Sequence, residues 1–302
     1  MKKVARFACL NFYLITTLFF LFTVLHSVTS HAQETLTWVF ENFPPAFIVE
    51  GPQKGNGITD GALDIYIENL PEYEHEKRVA NMSRILALIK DGKPVCYPGF
   101  IKTKHREEFI EFSLPNILTY SNALIVRRGD ENQFLKDHPS ISIKKILTEG
   151  NLRVGITAGR AYGGSIDSVL ENRDDQNGNV FIRSGGDELL GLLKMLKNGR
   201  IDCTIGYPWE LAYIAREFGL EDDFTVIPIQ ENHDQRWVLS YIGCPKNDWG
   251  RQAIKKLNEV LLTVRPQEEY IQRLLKWYPK EIEQDFRKAY EEHILSVVES
   301  RK

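Results

Sequence analysis

The sequence predicts an α/β protein with two lobes, each a mostly parallel sheet flanked by helices. Strand and helix patterns alternate as β-α-β-α-β over residues 35–100, which is typical of a parallel sheet with helices on its faces. The same order of patterns returns over residues 152–206. The chain of 302 residues is also long enough for two lobes of roughly 100–150 residues each.

The N-terminal segment has the pattern of a secretory signal peptide. Lys2, Lys3 and Arg6 give a positive start, residues 7–25 are mostly apolar, and Ser30-His31-Ala32 places small residues at the positions that a signal peptidase reads. We therefore expect cleavage after residue 32 and a soluble periplasmic protein. The alternative is an uncleaved membrane anchor, because the apolar run approaches the length that spans a bilayer.

Removal of residues 1–32 leaves 302 − 32 = 270 residues. It also removes three positive charges, so the formal charge changes from −3 to −3 − 3 = −6. This mildly acidic balance argues against a nucleic-acid partner. We expect a monomer that binds a small molecule.

Apolar periodicity and turn residues define the elements of the first lobe. Asp60 is the expected cap of a first helix that Pro71 stops, and Asn81 is the expected cap of a second helix that Gly92 ends. The predicted strands of this part cover residues 35–40, 76–79 and 95–100.

The second lobe repeats this pattern. A helix is expected after Gly163-Gly164-Ser165, and another begins at Asp187 and ends at Gly199. The predicted strands cover residues 152–157, 180–182 and 201–206, with extended segments over 118–128 and 237–243.

The C-terminal part of the chain is predicted to be helical. One helix begins near Asp248, a second has Pro266 in its first turn, and a third, charged helix follows Pro279.

Four stretches resemble segments of the family 3 extracellular solute-binding proteins, a group of type II periplasmic binding proteins that includes polar amino-acid binders. The resemblance covers essentially the whole chain after the signal segment and rests on the order and spacing of the four stretches. They are T-K-H-R with F-S-L-P (residues 103–106 and 112–115), GITAGRAY (155–162), L-K-N-G-R-I-D (196–202) and C-P-K (244–246).

The resemblance implies a type II fold whose two lobes are joined by two hinge crossings, near residues 120–126 and 236–241. Lobe 1 then comprises residues 33–120 and 242–302, and lobe 2 comprises residues 121–241 with the hinge segments. The first lobe is therefore expected to be discontinuous in sequence.

The turn after the third strand carries the main candidate for ligand binding, Arg106. Ligands of open α/β sheets bind at the carboxyl ends of the strands, and the start of the following helix adds partial positive charge. A guanidinium suits a carboxylate, and Thr103 supplies a hydroxyl or amide to the same oxygens. The alternative is a solvated arginine paired with Glu107, Glu108 or Glu111.

The loop over residues 157–164 is the candidate of the second lobe. Its glycines, Gly159 among them, let backbone amides approach a ligand closely. Arg160 lies in the middle of the loop and offers a second cation for an anionic solute. The alternative is a plain turn with a surface arginine.

The segment after the third strand of the second lobe departs from the family pattern. The resemblance implies an aspartate there that pairs with the ligand ammonium, but this chain has none, which argues against an α-amino-acid ligand. Glu210 is either a substitute or a first-turn acid of the next helix. Tyr207 and Trp209, with Phe43 opposite, are candidates for stacking on a flat ligand or for the core.

Three cysteines follow the signal segment, so at most one pair forms. The fold implied by the resemblance places the returning strand antiparallel to the third strand of lobe 1. Cys96 and Cys244 are then adjacent and are expected to form a disulfide. Cys203 is expected to be a buried free thiol.

The resemblance implies an exported protein that closes two lobes on a small, polar, carboxylate-bearing solute by a hinge motion. The expected partner is an ABC importer or a membrane sensor. One alternative is a lyase of the same fold, similar to cyclohexadienyl dehydratases, that acts on a cyclic acid; another is a sensory module without an exchanging ligand. We expect no cofactor, and no metal-ligand spacing connects His75, His105, His138, His233 and His293.

Overall fold

Two five-stranded sheets form the framework of the molecule. The computed structural model describes residues 33–135, 138–173, 178–185 and 187–298. The predicted signal peptide, residues 1–32, lies outside the described residues. We call the first sheet with its helices the first lobe, and the second sheet with its helices the second lobe.

The strands alternate with helices along much of the chain, as the sequence predicts. In chain order the strands are β1 (Glu34–Phe40), β2 (Tyr73–Val79), β3 (Val95–Ile101), β4 (Ile110–Tyr120), β5 (Ala123–Arg127), β6 (Val154–Thr157), β7 (Val180–Arg183), β8 (Cys203–Gly206), β9 (Phe224–Ile227) and β10 (Trp237–Pro245).

The first sheet has the order β2-β1-β3-β10-β4 and the second has the order β7-β6-β8-β5-β9. In the first sheet β1 and β3 are parallel, and β10 runs antiparallel to both β3 and β4. In the second sheet β6, β7 and β8 are parallel, and β5 runs antiparallel to β8 and β9. The predicted α/β class with mostly parallel sheets is therefore confirmed.

Helices flank both sheets. In chain order they are α1 (Ile58–Glu68), α2 (Met82–Lys90), α3 (Lys104–Glu107), α4 (Glu131–Leu135), α5 (Ile143–Glu149), α6 (Gly164–Glu171), α7 (Glu188–Lys197), α8 (Pro208–Phe218), α9 (Asp248–Val264), α10 (Glu268–Leu275) and α11 (Glu283–Tyr290).

Two predicted helix starts are wrong by a few residues. Gly57, not Asp60, caps α1; Asp60 lies in the first turn, where its carboxylate accepts hydrogen bonds from the backbone amides of Gly57 and Ile48, both at 2.9 Å. Gln267 caps α10, so Pro266 precedes that helix rather than lying in its first turn. The Asp60 carboxylate fixes the start of α1 through these two bonds, whereas Gln267 makes no side-chain capping hydrogen bond at the start of α10.

Each lobe has its own hydrophobic core. In the first lobe, Trp38 and Tyr66 pack with residues of α9 and α10 in one continuous cluster. In the second lobe, β5 contributes side chains to two hydrophobic clusters, because alternate side chains of a strand point to opposite faces of the sheet. Leu124 and Val126 join the cluster under α5 and α6, whereas Ile125 joins the cluster under α7 and α8.

The disulfide between Cys96 and Cys244 is present, and the two Cα atoms lie 4.4 Å apart. The antiparallel pairing of β3 with β10 brings these residues together. The bridge spans a sequence separation of 148 residues and fastens the returning strand to the first lobe. Cys203 is a buried free thiol.

The chain crosses between the sheets twice, over residues 121–122 and 228–236. The crossings lie side by side, since the Ser121 amide donates a hydrogen bond of 3.0 Å to the Arg236 carbonyl. The Tyr120 and Trp237 rings stack beside them with centroids 4.4 Å apart. Within the described residues, no helix combines the length and the apolar character needed to cross a membrane.

Candidate ligand-binding site

A cavity of about 60 Å³ lies between the two lobes. This volume holds about four water-sized groups. Several of the charged and aromatic residues that line the cavity come shortly after the carboxyl ends of parallel strands, which is where open α/β sheets bind ligands. The first lobe contributes Glu41, Phe43, Tyr97 and Arg106, and the second contributes Arg160, Glu188, Tyr207 and Trp209.

Arg106 is buried at the first-lobe side of the cavity, with 5% of its surface exposed. Its Nη1 donates to the Ile101 carbonyl at 2.9 Å, and its Nη2 donates across the cleft to the Gly159 carbonyl at 2.8 Å. The guanidinium carbon lies 4.9 Å from the centre of the Phe100 ring. Burial lowers the pKa of Arg106, and no carboxylate of the described residues lies within salt-bridge distance of it.

These contacts exclude the alternative of a solvated surface ion pair for Arg106. The following helix, however, is a single turn of four residues, so the dipole contribution expected from a longer helix is not available. Thr103 caps this turn, and its hydroxyl accepts the Arg106 amide at 3.2 Å. Thr103 lines a neighbouring open groove rather than the cavity.

Arg160 and Glu210 form a buried, bidentate ion pair in the second lobe. The distances are 3.2 Å from Nη1 to Oε1 and 2.7 Å from Nη2 to Oε2. Only 7% of the Arg160 side chain and 1% of the Glu210 side chain are exposed. Burial opposes the charge of Arg160, but the Glu210 carboxylate outweighs it and raises the pKa of the guanidinium. The alternative of a surface arginine is therefore wrong, and Glu210 is both a first-turn acid of α8 and the partner of Arg160.

Aromatic rings enclose the Arg160 guanidinium. Its central carbon lies 4.8 Å from the ring centre of Phe43, 5.2 Å from that of Tyr207 and 5.4 Å from that of Tyr162. Trp209 stacks on Tyr207 with centroids 5.0 Å apart and lies 5.6 Å from Phe43. Such cation–π contacts favour the charged form where water is excluded.

Glu41 and Glu188 also line the cavity, and sequence reasoning missed both. Glu41 accepts a hydrogen bond of 2.8 Å from the Tyr97 hydroxyl through Oε1, while its Oε2 has no hydrogen-bond partner among the described residues. Burial raises the pKa of Glu41 to about 7. Burial and the nearby charge of Glu41 raise the pKa of Glu188 to about 8.

The sequence does carry weak signals for these two acids. Glu41 directly follows β1, at the carboxyl end of a parallel strand, and Glu188 is the first residue of α7. Both are 5% exposed or less, which is rare for an acid without a charged partner.

Gly159 brings the lobes into close contact. Its φ of +74° belongs to the left-handed region that glycine tolerates best. A Cβ at this position would lie 3.2 Å from Leu86 Cδ1 of the first lobe. Ile48 of the first lobe likewise packs into the second-lobe cluster under α7 and α8. The cleft is therefore closed in this structure.

The structure thus brings five of the eight candidate binding residues to the cavity wall: Phe43, Arg106, Arg160, Tyr207 and Trp209. Gly159 contributes its carbonyl to Arg106, and Glu210 lies behind Arg160. Trp209 Nε1 has no hydrogen-bond partner among the described residues, as is also true of Glu41 Oε2.

Neither a protein-family model nor a curated protein matches the chain. Solved structures do match it. One is a histidine kinase sensor domain with similarity to periplasmic binding proteins, at 16% identity and a TM-score of 0.64, covering 82% of this chain and 96% of that one.

The chain has the two-lobed fold of periplasmic binding proteins. A substrate-binding protein of an ABC uptake transporter from Streptococcus pneumoniae, solved with bound histidine, matches at 16% identity and a TM-score of 0.62, covering 82% of this chain and 92% of that one. A putative L-cystine ABC transporter protein from Listeria monocytogenes matches at 19% identity and a TM-score of 0.62, covering 83% of this chain and 98% of that one. The periplasmic-binding-protein fold that the four sequence stretches imply is confirmed.

Proposed function

We propose that the protein binds a small, carboxylate-bearing solute between its two lobes. One observation carries this proposal: the buried guanidinium of Arg106 lines the cavity and has no carboxylate partner among the described residues. Burying a charge without a partner is costly, so such groups are typical of sites that a ligand completes.

The Arg106 guanidinium has N–H groups that no protein acceptor among the described residues occupies. A guanidinium has five N–H groups, and the carbonyls of Ile101 and Gly159 engage two of them. The remaining groups suit the two oxygens of a carboxylate. Because Gly159 belongs to the second lobe, the same side chain joins the lobes and holds the solute, which couples binding to closure.

The other walls match a small solute that is partly apolar. Phe43 and Trp209 form an aromatic side of the cavity, and the unpartnered Trp209 Nε1 offers a hydrogen bond to the solute. The solved neighbours are described as a substrate-binding protein of an ABC uptake transporter with bound histidine and as a histidine kinase sensor domain. We therefore include amino acids in the solute class, and an ABC importer or a membrane sensor as the partner.

We also propose the signal peptide and the lobe boundaries that the sequence predicts. Residues 1–32 act as a signal peptide that delivers the protein to the periplasm. Residues 33–120 with 242–302 form lobe 1, and residues 121–241 form lobe 2 with the hinge segments. Limited proteolysis of the purified protein, with identification of the fragments, tests these boundaries.

A thermal-shift screen against amino acids, organic acids and oligosaccharides tests solute binding. We expect an organic acid or amino acid to raise the Tm of the wild-type protein. Arg106→Ala abolishes the shift, whereas Lys104→Ala, an exposed cation in the same turn, retains it. A solute whose effect survives in Arg106→Ala contradicts the assignment of this residue.

A lyase of the same fold is a second candidate, and the two acids favour it. Glu41 and Glu188 line the cavity with pKa values raised to about 7 and about 8, in the range that suits a general acid near neutral pH. Incubation of the purified protein with prephenate or arogenate decides between the functions. Turnover that Glu188→Gln abolishes supports the lyase, and stabilisation by a solute without turnover supports the binding protein.

A further inference from the structure

Aromatic side chains of the second lobe fill much of the space between the lobes. Trp209, in the first turn of α8, stacks on Tyr207 with ring centroids 5.0 Å apart, and its ring lies 5.6 Å from that of Phe43 in the first lobe. Trp209 also packs against the hydrophobic core of the first lobe. The cavity that remains has a volume of about 60 Å³.

This volume limits the size of the solute. A cavity of about 60 Å³ holds about four water-sized groups. The carbon and the two oxygens of a carboxylate occupy three of them, so only about one or two further atoms fit. Acids of two or three carbons, such as acetate, glycolate and propionate, match this space, whereas a ring-bearing amino acid such as histidine is far too large.

The aromatic residues that fix the limit are themselves held in place. The Arg160 guanidinium carbon lies 4.8 Å from the ring centre of Phe43 and 5.2 Å from that of Tyr207, and Glu210 holds the guanidinium from behind in a bidentate ion pair. Moving Trp209 out of the cavity wall would break its stack on Tyr207 and its contact with Phe43. The limit is therefore a property of a packed cluster and not of one loose side chain.

The charges around the cavity favour a solute with one negative charge. Arg160 and Glu210 cancel each other within their ion pair. Burial raises the pKa of Glu41 to about 7, and burial with the charge of Glu41 raises the pKa of Glu188 to about 8, so both acids hold protons below about pH 7. Of the described residues that line the cavity, Arg106 then carries the remaining charge. A monocarboxylate neutralises this charge, whereas a zwitterionic amino acid leaves it in place.

Groups on several elements act on the two acids. On Glu41 they are Tyr97 of β3, Arg106 of α3 and Arg160 of the β6–α6 loop; on Glu188 they are Glu41, Arg160, Glu210 of α8 and Arg183 of β7. The arginines among them lower the pKa values of the acids, but burial outweighs the arginines at both positions.

We propose that the site selects monocarboxylic acids of two or three carbons without an ammonium group, and that Trp209 sets this size limit. The inference rests on the proposed function, whose solute class it narrows, because Arg106 holds the solute carboxylate. Glu41 Oε2, which has no partner among the described residues, donates a hydrogen bond to the solute when it is protonated. The bound anion favours protonation of both acids, so binding near neutral pH takes up protons and weakens as the pH rises.

A series of straight-chain acids from acetate to hexanoate tests the size limit by thermal shift at pH 6, in a buffer free of carboxylates. We expect acetate or propionate to raise the Tm of the wild type, and hexanoate and histidine to leave it unchanged. Trp209→Ala binds hexanoate at least about tenfold more tightly than the wild type, because each buried methylene adds to the affinity. Trp209→Phe admits acids of intermediate length, and Phe218→Ala, which removes an exposed ring of the same helix, keeps the wild-type series.

Propionate and alanine test the charge of the solute, since they share a carbon skeleton and differ in the ammonium group. We expect propionate to bind at least about tenfold more tightly than alanine at pH 6, because alanine is zwitterionic. Calorimetric titration of propionate at pH 7, in two buffers that differ in ionisation enthalpy, counts the protons taken up. Glu188→Gln takes up markedly fewer protons than the wild type, and Glu50→Gln, which changes an exposed acid of the first lobe, takes up the same number.

Stabilisation of the wild type by hexanoate or histidine as large as that by acetate, with loss of both in Arg106→Ala, overturns the size limit and leaves solute binding intact. A Trp209→Ala series identical to that of the wild type overturns the role of Trp209. Alanine that binds as tightly as propionate overturns the exclusion of the ammonium group. Absence of any Tm shift with acids of every length and with amino acids overturns the proposed function together with this inference.

Discussion

Each lobe has the sequence Thr-x-x-Arg at the carboxyl end of a parallel strand, and the surroundings of the two arginines differ. In the first lobe Thr103 caps a helical turn, and Arg106 extends into the cavity with only carbonyl partners. In the second lobe Thr157 Oγ1 has no partner among the described residues, and Arg160 is held by a carboxylate and three rings. The same local sequence therefore yields one cation that is available and one that is satisfied.

The difference arises from what the next elements supply. The helix after β8 begins with Pro208, so that Glu210 in its first turn faces the β6–α6 loop and captures Arg160. No acid of the described residues takes this position opposite Arg106. We therefore propose that the second-lobe turn is mainly structural and that the first-lobe turn binds the ligand.

The largest expected effect concerns the second-lobe ion pair. Glu210→Gln leaves Arg160 buried without its carboxylate and is expected to reduce the free energy of unfolding by about 3–5 kcal/mol, measured by urea denaturation. The double variant Arg160→Met with Glu210→Leu removes both charges and is expected to be at least as stable as the wild type within about 1 kcal/mol. A cost of Glu210→Gln below about 1 kcal/mol would show that Arg160 has another partner.

The disulfide is expected to matter for the first lobe alone. Cys96→Ala with Cys244→Ala is expected to cost about 2–5 kcal/mol, because the long closed loop gains freedom in the unfolded chain. Amide hydrogen exchange should show faster exchange in β3 and β10 and little change in β6 and β8. Equal loosening of both sheets would contradict the separate role of this bridge.

The pH dependence of stability tests the acids of the cavity. Glu41 and Glu188 ionise near 4.5 in the unfolded chain, but burial raises their pKa values to about 7 and about 8 in the folded chain. The folded state therefore binds more protons than the unfolded state between about pH 5 and 8, so the free energy of unfolding falls as the pH rises through this range.

Urea denaturation across this pH range measures the slope, and Glu188→Gln should flatten it while Glu50→Gln does not. A wild-type slope that Glu188→Gln leaves unchanged would assign the titration to other groups.

The smallest effect on stability is expected for substitution of Arg106. This prediction tests the difference between the Arg106 turn of the first lobe and the Arg160 turn of the second. Arg106→Ala loses hydrogen bonds to two carbonyls and is expected to cost about 1–2 kcal/mol. Lys104→Ala in the same turn should stay within about 0.5 kcal/mol of the wild type. If Arg106→Ala costs as much as Glu210→Gln in the same denaturation series, the distinction between a functional and a structural turn fails.

Much of the candidate site was predictable, because strand ends and glycine-rich turns leave local signals. Arg106, Arg160 and the aromatic residues Phe43, Tyr207 and Trp209 line the cavity, and their role in ligand binding stays a prediction. Thr103 does not reach it, because its hydroxyl caps the turn instead. A pairing between residues that are distant in sequence, such as Arg160 with Glu210, cannot be predicted from the local sequence around either residue.

The sequence by itself determined the α/β class and the repeated strand and helix order, because periodicity and connection order restrict the topology of a sheet. The adjacency of Cys96 and Cys244 followed only from the fold that the family resemblance implies. The tertiary structure alone decided which charges are paired. Glu41 and Glu188 lie 147 residues apart and become neighbours only when the two lobes meet. The exclusion of water in that closed cleft is what turns two ordinary glutamates into acids that hold protons near neutral pH.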